Sequence, residues 1–213
     1  MNRPLALLAA LSLLAGCGEA PPAKAPPAAE ANAGAPAPQP VPDRARVRIE
    51  TRIGAIIVEL DGRHAPVTTA NFLAYVDQHR FDGTSFYRAA RTEGAEGRGF
   101  VQGGIRRDYR RMLAPIAHEP TSATGLRHRA GTISMARGES GAMGNFFITT
   151  AAMPAMDAHG RDQGYAAFGQ VVDGMDVVRR ILALPTDPRA GSGAMRGQML
   201  AAPVPIVRAT RAE

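Results

Sequence analysis

The chain has 213 residues, a formal net charge of +6, 45% hydrophobic and 5% aromatic residues, no tryptophan and one cysteine. That length suits one domain with a self-sufficient apolar core plus appendages. A lone cysteine excludes an internal disulfide scaffold and a thiol-rich zinc module, and the lack of a reading motif or aromatic interleaving argues against a nucleic-acid binder.

In chain order, the start Met1-Asn2-Arg3-Pro4 is positively charged, and Leu5 to Ala15 is apolar except for Ser12. This run is about half of the roughly 20 residues that a membrane-spanning helix needs, so residues 1–16 read as a signal peptide. Leu14-Ala15-Gly16-Cys17 resembles the lipobox of bacterial lipoproteins, in which cleavage precedes the cysteine and the cysteine is lipidated. The resemblance implies that Cys17 is the first mature residue and anchors the chain to a membrane of the bacterial envelope, facing the periplasm. Gly18 is not the aspartate that resembles an inner-membrane retention signal, which tilts the expectation toward the outer membrane.

Residues 17–42 follow as the lipidated cysteine and a tether. Eight prolines and nine alanines fall between Gly18 and Pro42, a composition too poor in bulky apolar groups to offset its ordering entropy. A disordered Pro/Ala leash is expected, with a reach of about 75 Å when extended at roughly 3.1 Å per residue. Arg3 and Lys24 are balanced by Glu19 and Glu30, so the whole charge of +6 belongs to residues 43–213. Every cation of that domain other than histidine is arginine, and Arg106, Arg107, Arg110 and Arg111 form the densest cluster. A solvated face is the simplest reading of that cluster, with acidic clients or anionic head groups as the alternative.

Within the domain, Val47–Glu50 and Ala55–Leu60 flank Arg52-Ile53-Gly54 and predict an antiparallel hairpin with a glycine-bearing turn. Pro66 suits a helix start, and Phe72, Leu73 and Val76 would cover one face of that helix. Further strands are predicted at Ser85–Ala89, Gly99–Gln102, Thr132–Ala136, Phe146–Thr150, Ala166–Val172 and Val204–Ala209. A second helix is predicted at Met175–Leu184, with Val177, Val178, Ile181 and Leu182 as its stripe. Many short strands with two helices point to a mainly β domain, most simply a closed barrel with no free edges. Gly191-Ser192-Gly193 lacks the spacing and the strand-to-helix setting of a nucleotide fingerprint and reads as a flexible loop. His64, His79, His118, His128 and His159 are scattered without paired ligand spacing, so no metal or other cofactor is expected and polar surface or loop positions account for them.

Five spaced segments carry the functional signal. They are Phe86-Tyr87-Arg88, Phe100-Val101-Gln102-Gly103-Gly104, Gly131-Thr132-Ile133-Ser134-Met135-Ala136-Arg137, Asn145-Phe146-Phe147-Ile148, and the stretch from Met156-Asp157 through Gly164-Tyr165-Ala166-Ala167-Phe168-Gly169. In this order they resemble cyclophilin-type peptidyl-prolyl cis-trans isomerases, over nearly all of residues 47–210, and the last segment is most like the bacterial periplasmic branch. The resemblance implies an eight-stranded antiparallel barrel capped by two helices, acting as a monomer on X-Pro bonds in extended or unfolded envelope proteins. It implies Arg88 as the catalytic donor. It also implies Phe86, Tyr87, Phe100, Gln102, Met135, Ala136, Arg137, Asn145, Phe147, Met156 and Tyr165 as substrate-binding residues, with Gln102 and Asn145 touching substrate backbone or holding Arg88.

The chain departs from the family pattern at several points. Tyr87 stands where histidine is usual, Asn145 replaces the more frequent glutamine, and residues 91–98 form an insert that leaves Phe100 matching either of two family pocket residues. Ala155 occupies the position of a tryptophan in animal cyclophilins, which implies weak binding of the cyclic peptide drug that names the family. The alternative to an active isomerase is a module that grips proline-containing segments with little turnover.

Overall fold

The computed structural model describes residues 41–106, 108–138 and 141–213. The expected signal peptide, Cys17 and most of the tether lie outside the described residues. So does Arg107 of the arginine cluster.

Alternating Val47 and Ile49, then Ile56, Val58 and Leu60, point inward from a hairpin of β1 (Arg44–Thr51) and β2 (Gly54–Asp61). Its turn is held by the Thr51 hydroxyl, which donates to the Gly54 carbonyl at 2.6 Å and accepts from the Ile53 N–H at 3.2 Å. The chain continues through α1 (Pro66–Asp77), β3 (Ser85–Arg91), β4 (Gly99–Gly104), the one-turn α2 (Thr121–Thr124), β5 (Thr132–Gly138) and β6 (Gly141–Thr149). Then come β7 (Ala166–Asp173), α3 (Met175–Ala183), β8 (Thr186–Asp187) and β9 (Met199–Ala212). Hydrogen bonding runs β1-β2-β7-β5-β6-β4-β3-β9, and β9 pairs back onto β1, so eight antiparallel strands close a barrel with β8 added outside β9. Closure removes the free edges of these strands.

All eight barrel strands fall where the sequence predicts them, most are longer by one to three residues at an end, and two begin five residues early. β9 begins at Met199, five residues before its predicted start at Val204. Against β3, its register jumps from Val204 opposite Phe86 to Met199 opposite Arg88. Pro203, which has no N–H for the ladder, falls inside that excursion. β6 begins at Gly141 because Ala142 and Gly141 pair with Arg137 and Gly138 of β5, although Gly-Ala-Met-Gly has no strand pattern of its own. The insert at 91–98 forms the loop of the β3–β4 hairpin, tied by Thr92 N–H donating to the Arg98 carbonyl at 2.8 Å.

Helix α1 has Pro66 in its first turn, as predicted, and no side-chain cap from the residue before it. The Glu119 carboxylate caps it instead, accepting from the Val67 and Thr68 N–H groups at 3.0 and 2.7 Å. An anion there satisfies two orphan donors and complements the helix dipole. α1 buries Phe72, Leu73, Tyr75 and Val76, while α3 buries Val177, Val178, Ile181 and Leu182. The centre of the core is aromatic: the ring of Phe72 lies 5.0 Å from Phe81 and 5.3 Å from both Phe146 and Phe168.

Candidate active site

Strand β3 carries Arg88 and its neighbour β4 carries Gln102, and the register sets the two directly opposite. The Gln102 amide oxygen accepts from Arg88 Nη1 at 2.9 Å. Just before β9, the Gln198 amide oxygen accepts from Arg88 Nε at 2.9 Å and from Nη2 at 2.6 Å. Two glutamines therefore hold the guanidinium from two sides, using three of its five N–H groups and leaving one on each terminal nitrogen. Burial draws the Arg88 pKa below its ordinary value, with Tyr87 and Tyr165 opposing the shift. An arginine stays charged through such a shift.

The Arg88 guanidinium lies over the Phe100 ring at 4.9 Å. Phe100 packs at 5.2 Å on Phe147, and Tyr165 meets Phe147 edge-on at 5.3 Å. Phe100 and Tyr165 are half-buried while Phe147 is buried, so the rings form a partly exposed apolar surface, the candidate groove, with Phe147 beneath and Arg88 beside Phe100. Met156 and Ala136 are also half-buried, and the Met156 carbonyl accepts from Tyr165 N–H at 3.0 Å. Arg137 spans the Tyr165 side: its Nε donates to the Gly164 carbonyl at 2.9 Å and its guanidinium lies 5.8 Å from the Tyr165 ring.

Tyr87 is buried and works behind the groove. Its hydroxyl accepts from Gln102 Nε2 at 2.9 Å and donates to Asn145 Oδ1 at 3.3 Å. Burial pushes the Tyr87 hydroxyl pKa up to about 12, so it stays protonated as a donor. Asn145 makes no hydrogen bond to Arg88; its amide brackets the Arg106 backbone, accepting from N–H at 2.7 Å and donating to the carbonyl at 3.2 Å. Gln102 is thus the one of the two expected amides that holds the arginine.

Two expected groove residues belong to the core. Phe86 is fully buried and meets Phe146 edge-on at 5.7 Å, and Met135 is 1% exposed within the same apolar cluster. In a regular strand, residues two apart share a face. Here the register shifts between Phe86 and Arg88, and again between Met135 and Arg137, so core and surface residues sit close together in sequence.

Two polar residues emerge only from the fold. Gln198 had no signal in a Gly- and Met-rich stretch, because its role depends on β9 running beside β3, where Gln198 O accepts from Ala89 N–H at 2.9 Å. His128, expected at a polar surface or loop, lies in the loop before β5 but is only 2% exposed. Its Nδ1 lies 2.7 Å from Asp157 Oδ1, and its Nε2 lies 3.0 Å from Ser134 Oγ.

Burial lowers the His128 pKa despite the opposing pull of Asp157. As pH falls below the ordinary histidine value of about 6.5, the unfolded chain takes up a proton before the folded one does. Stability is therefore expected to fall with acidification from about pH 6.5 down to the lowered pKa. Melting temperatures between about pH 7.5 and 5 are expected to decline more steeply for the wild-type chain than for His128→Gln; parallel profiles would contradict this.

A closed antiparallel barrel bearing a glutamine-braced arginine beside an aromatic groove defines a cyclophilin-like domain. Residues 46–210 match the family described as cyclophilin type peptidyl-prolyl cis-trans isomerase/CLD, and the chain belongs to that family. It is 36% identical over 142 residues to a peptidyl-prolyl cis-trans isomerase of Acinetobacter baylyi, covering 66% of this chain and 73% of that protein. It is 37% identical over 145 residues to peptidyl-prolyl cis-trans isomerase A of Dickeya dadantii, with the same coverage of 66% and 73%. Its fold matches the crystal structure of a cyclophilin type isomerase of Cryptosporidium parvum with a TM-score of 0.62 at 21% identity, over 80% of this chain and 98% of the other. A second structure of that protein was solved in the presence of the dipeptide ala-pro. The chain is accordingly a peptidyl-prolyl cis-trans isomerase.

Proposed function

We propose that Arg88 drives the isomerisation and that the groove of Phe100, Phe147, Tyr165 and Met156 grips the proline ring. Rotation about an X-Pro bond faces a barrier of about 18–20 kcal/mol because the twisting amide loses conjugation. No covalent intermediate is needed to lower it. What helps is a fixed donor that interacts more strongly with the twisted bond than with either planar isomer.

The observation that carries this reading is the bracing of Arg88 by Gln102 and Gln198. With three N–H groups held by protein, the remaining two can meet the prolyl carbonyl and the pyramidal imide nitrogen with little reorganisation. The second N–H of the Gln102 amide is left for substrate backbone. The Ala-Pro dipeptide used with the C. parvum cyclophilin is a ligand of the class this groove would take. Isomerisation of a short Ala-Pro peptide by the wild-type chain and not by Arg88→Ala supports the assignment. Peptide binding by the wild-type chain without acceleration would instead favour a proline-gripping chaperone.

The clients in this reading are extended X-Pro segments of bacterial envelope proteins, met by a monomer without nucleic acid. Cys17 supplies a lipid anchor and residues 18–42 a leash. Lipid attachment rests on Leu14-Ala15-Gly16-Cys17 closing an apolar run and holding the sole cysteine. Mass spectrometry of the mature chain is expected to show an N-terminal acylated Cys17, and Cys17→Ser is expected to leave the membrane fraction; a retained leader or an unmodified Cys17 contradicts the anchor.

A further inference from the structure

Pro154–Met156 form a single turn that sets Met156 beside the groove, and both flanks of the turn are tied to one residue. On one flank, Met153 N–H donates to the His128 carbonyl at 2.8 Å. On the other, Asp157 Oδ1 accepts from the His128 backbone N–H at 3.0 Å and from Nδ1 at 2.7 Å. The imidazole reaches β5 through Ser134 Oγ, and its face lies parallel to Phe147 with 5.8 Å between centroids and 10° between planes. That spacing lies within the range of offset aromatic stacking.

His128 is too deeply buried to meet a substrate, yet it joins three parts of the site: the Phe147 floor, the Met156 turn and strand β5. With Nδ1–H donating to the carboxylate, a neutral ring accepts the Ser134 hydroxyl proton at Nε2, so one tautomer satisfies both contacts. The Met156 carbonyl in turn holds Tyr165 N–H, and the Tyr165 ring abuts Phe147. The links close a loop around the groove.

We propose that His128 is a positioning residue for the isomerase, and that its bonds to Asp157 and Ser134 fix the Phe147 floor relative to the Met156–Tyr165 wall and so set the fit of the proline ring. The proposal rests on the reading of this groove as the proline site. Truncating His128 removes the donor to Asp157, leaves the Ser134 hydroxyl unpartnered and opens space behind Phe147. Displacements of about 1 Å in a binding groove can cost up to about 100-fold in rate. Arg88 keeps its own braces, so the loss falls on substrate binding.

The test is steady-state isomerisation of an Ala-Pro peptide by the full chain, well below its melting temperature. His128→Ala is expected to raise KM about tenfold and to change kcat less than about twofold, a smaller loss than the limit for misplacement. Val178→Ala, a buried change in α3 that touches none of the His128 partners, is expected to lower melting temperature with KM unchanged. Should His128→Ala fail to fold, Ser134→Ala and Asp157→Asn carry the test, each expected to raise KM about threefold as a partial loss of the same positioning. Wild-type KM in a folded His128→Ala, or in both substitutes, overturns the positioning role, as does an equal rise in Val178→Ala. Undiminished turnover by Arg88→Ala would be a failure of the groove reading itself, a result the His128 series cannot mimic.

Discussion

Replacing Phe72 with alanine is expected to destabilise the domain by about 3–5 kcal/mol, the usual range for removing a buried phenylalanine. The ring is fully buried and packs on Phe81, on Phe146 of β6 and on Phe168 of β7. The void would open where helix α1 meets the barrel, bounded by Phe81 in the turn after α1 and by Phe146 and Phe168, whose rings cannot collapse into it without leaving their strands. Domains of this kind are stable by about 5–15 kcal/mol, so such a loss is a large fraction of the total. Val67→Ala, on the same helix but at a site 40% exposed, is expected to change stability by less than about 0.5 kcal/mol. Denaturant midpoints with unchanged slopes measure both; a Phe72→Ala loss below about 1 kcal/mol would contradict the cluster's central place in the core.

Arg88→Ala is expected to lower kcat/KM by about 10²–10³, comparable with deleting one fixed donor from an electrostatic site. Arg88→Lys is expected to restore little of it. An ammonium is a single point charge and cannot reach Gln102, Gln198 and substrate at once, whereas the guanidinium fork spans them. Folding should hardly change, by about 1 kcal/mol or less, because the site is half-open and the freed glutamine amides can bind water. Peptide isomerisation rates beside denaturant midpoints separate the two effects. Activity in Arg88→Lys near the wild-type level would show that charge alone suffices and that the bracing is incidental.

The barrel was legible because its strands announce themselves locally: Val47 and Ile49, or Ile56, Val58 and Leu60, alternate as a pleated surface facing a core demands. Arg88 and Gln102 were legible through the order of spaced motifs, and the β3–β4 register shows why they belong together. Strand periodicity could not assign Phe86 and Met135 to the core, since bulges beside each break the two-residue alternation. The long-range polar contacts were illegible for a different reason. Glu119 caps α1 from 51 and 52 residues away, Gln198 braces Arg88 across 110 residues, and His128 bonds Asp157 across 29. Nothing in their immediate neighbours marks such residues, because their partners are chosen by closure of the barrel.

The role proposed for the glutamine-braced Arg88 is to favour the twisted X-Pro bond over its planar forms. Magnetisation exchange between the cis and trans signals of an Ala-Pro peptide, recorded with a small amount of protein, tests it most directly. Uncatalysed exchange takes tens to hundreds of seconds. The wild-type chain is expected to bring it into the sub-second range, while Arg88→Ala binds the same peptide with similar affinity and leaves exchange near the uncatalysed rate, as loss of stabilisation confined to the twisted state requires. Equal exchange rates with the wild-type chain and Arg88→Ala would contradict the claim.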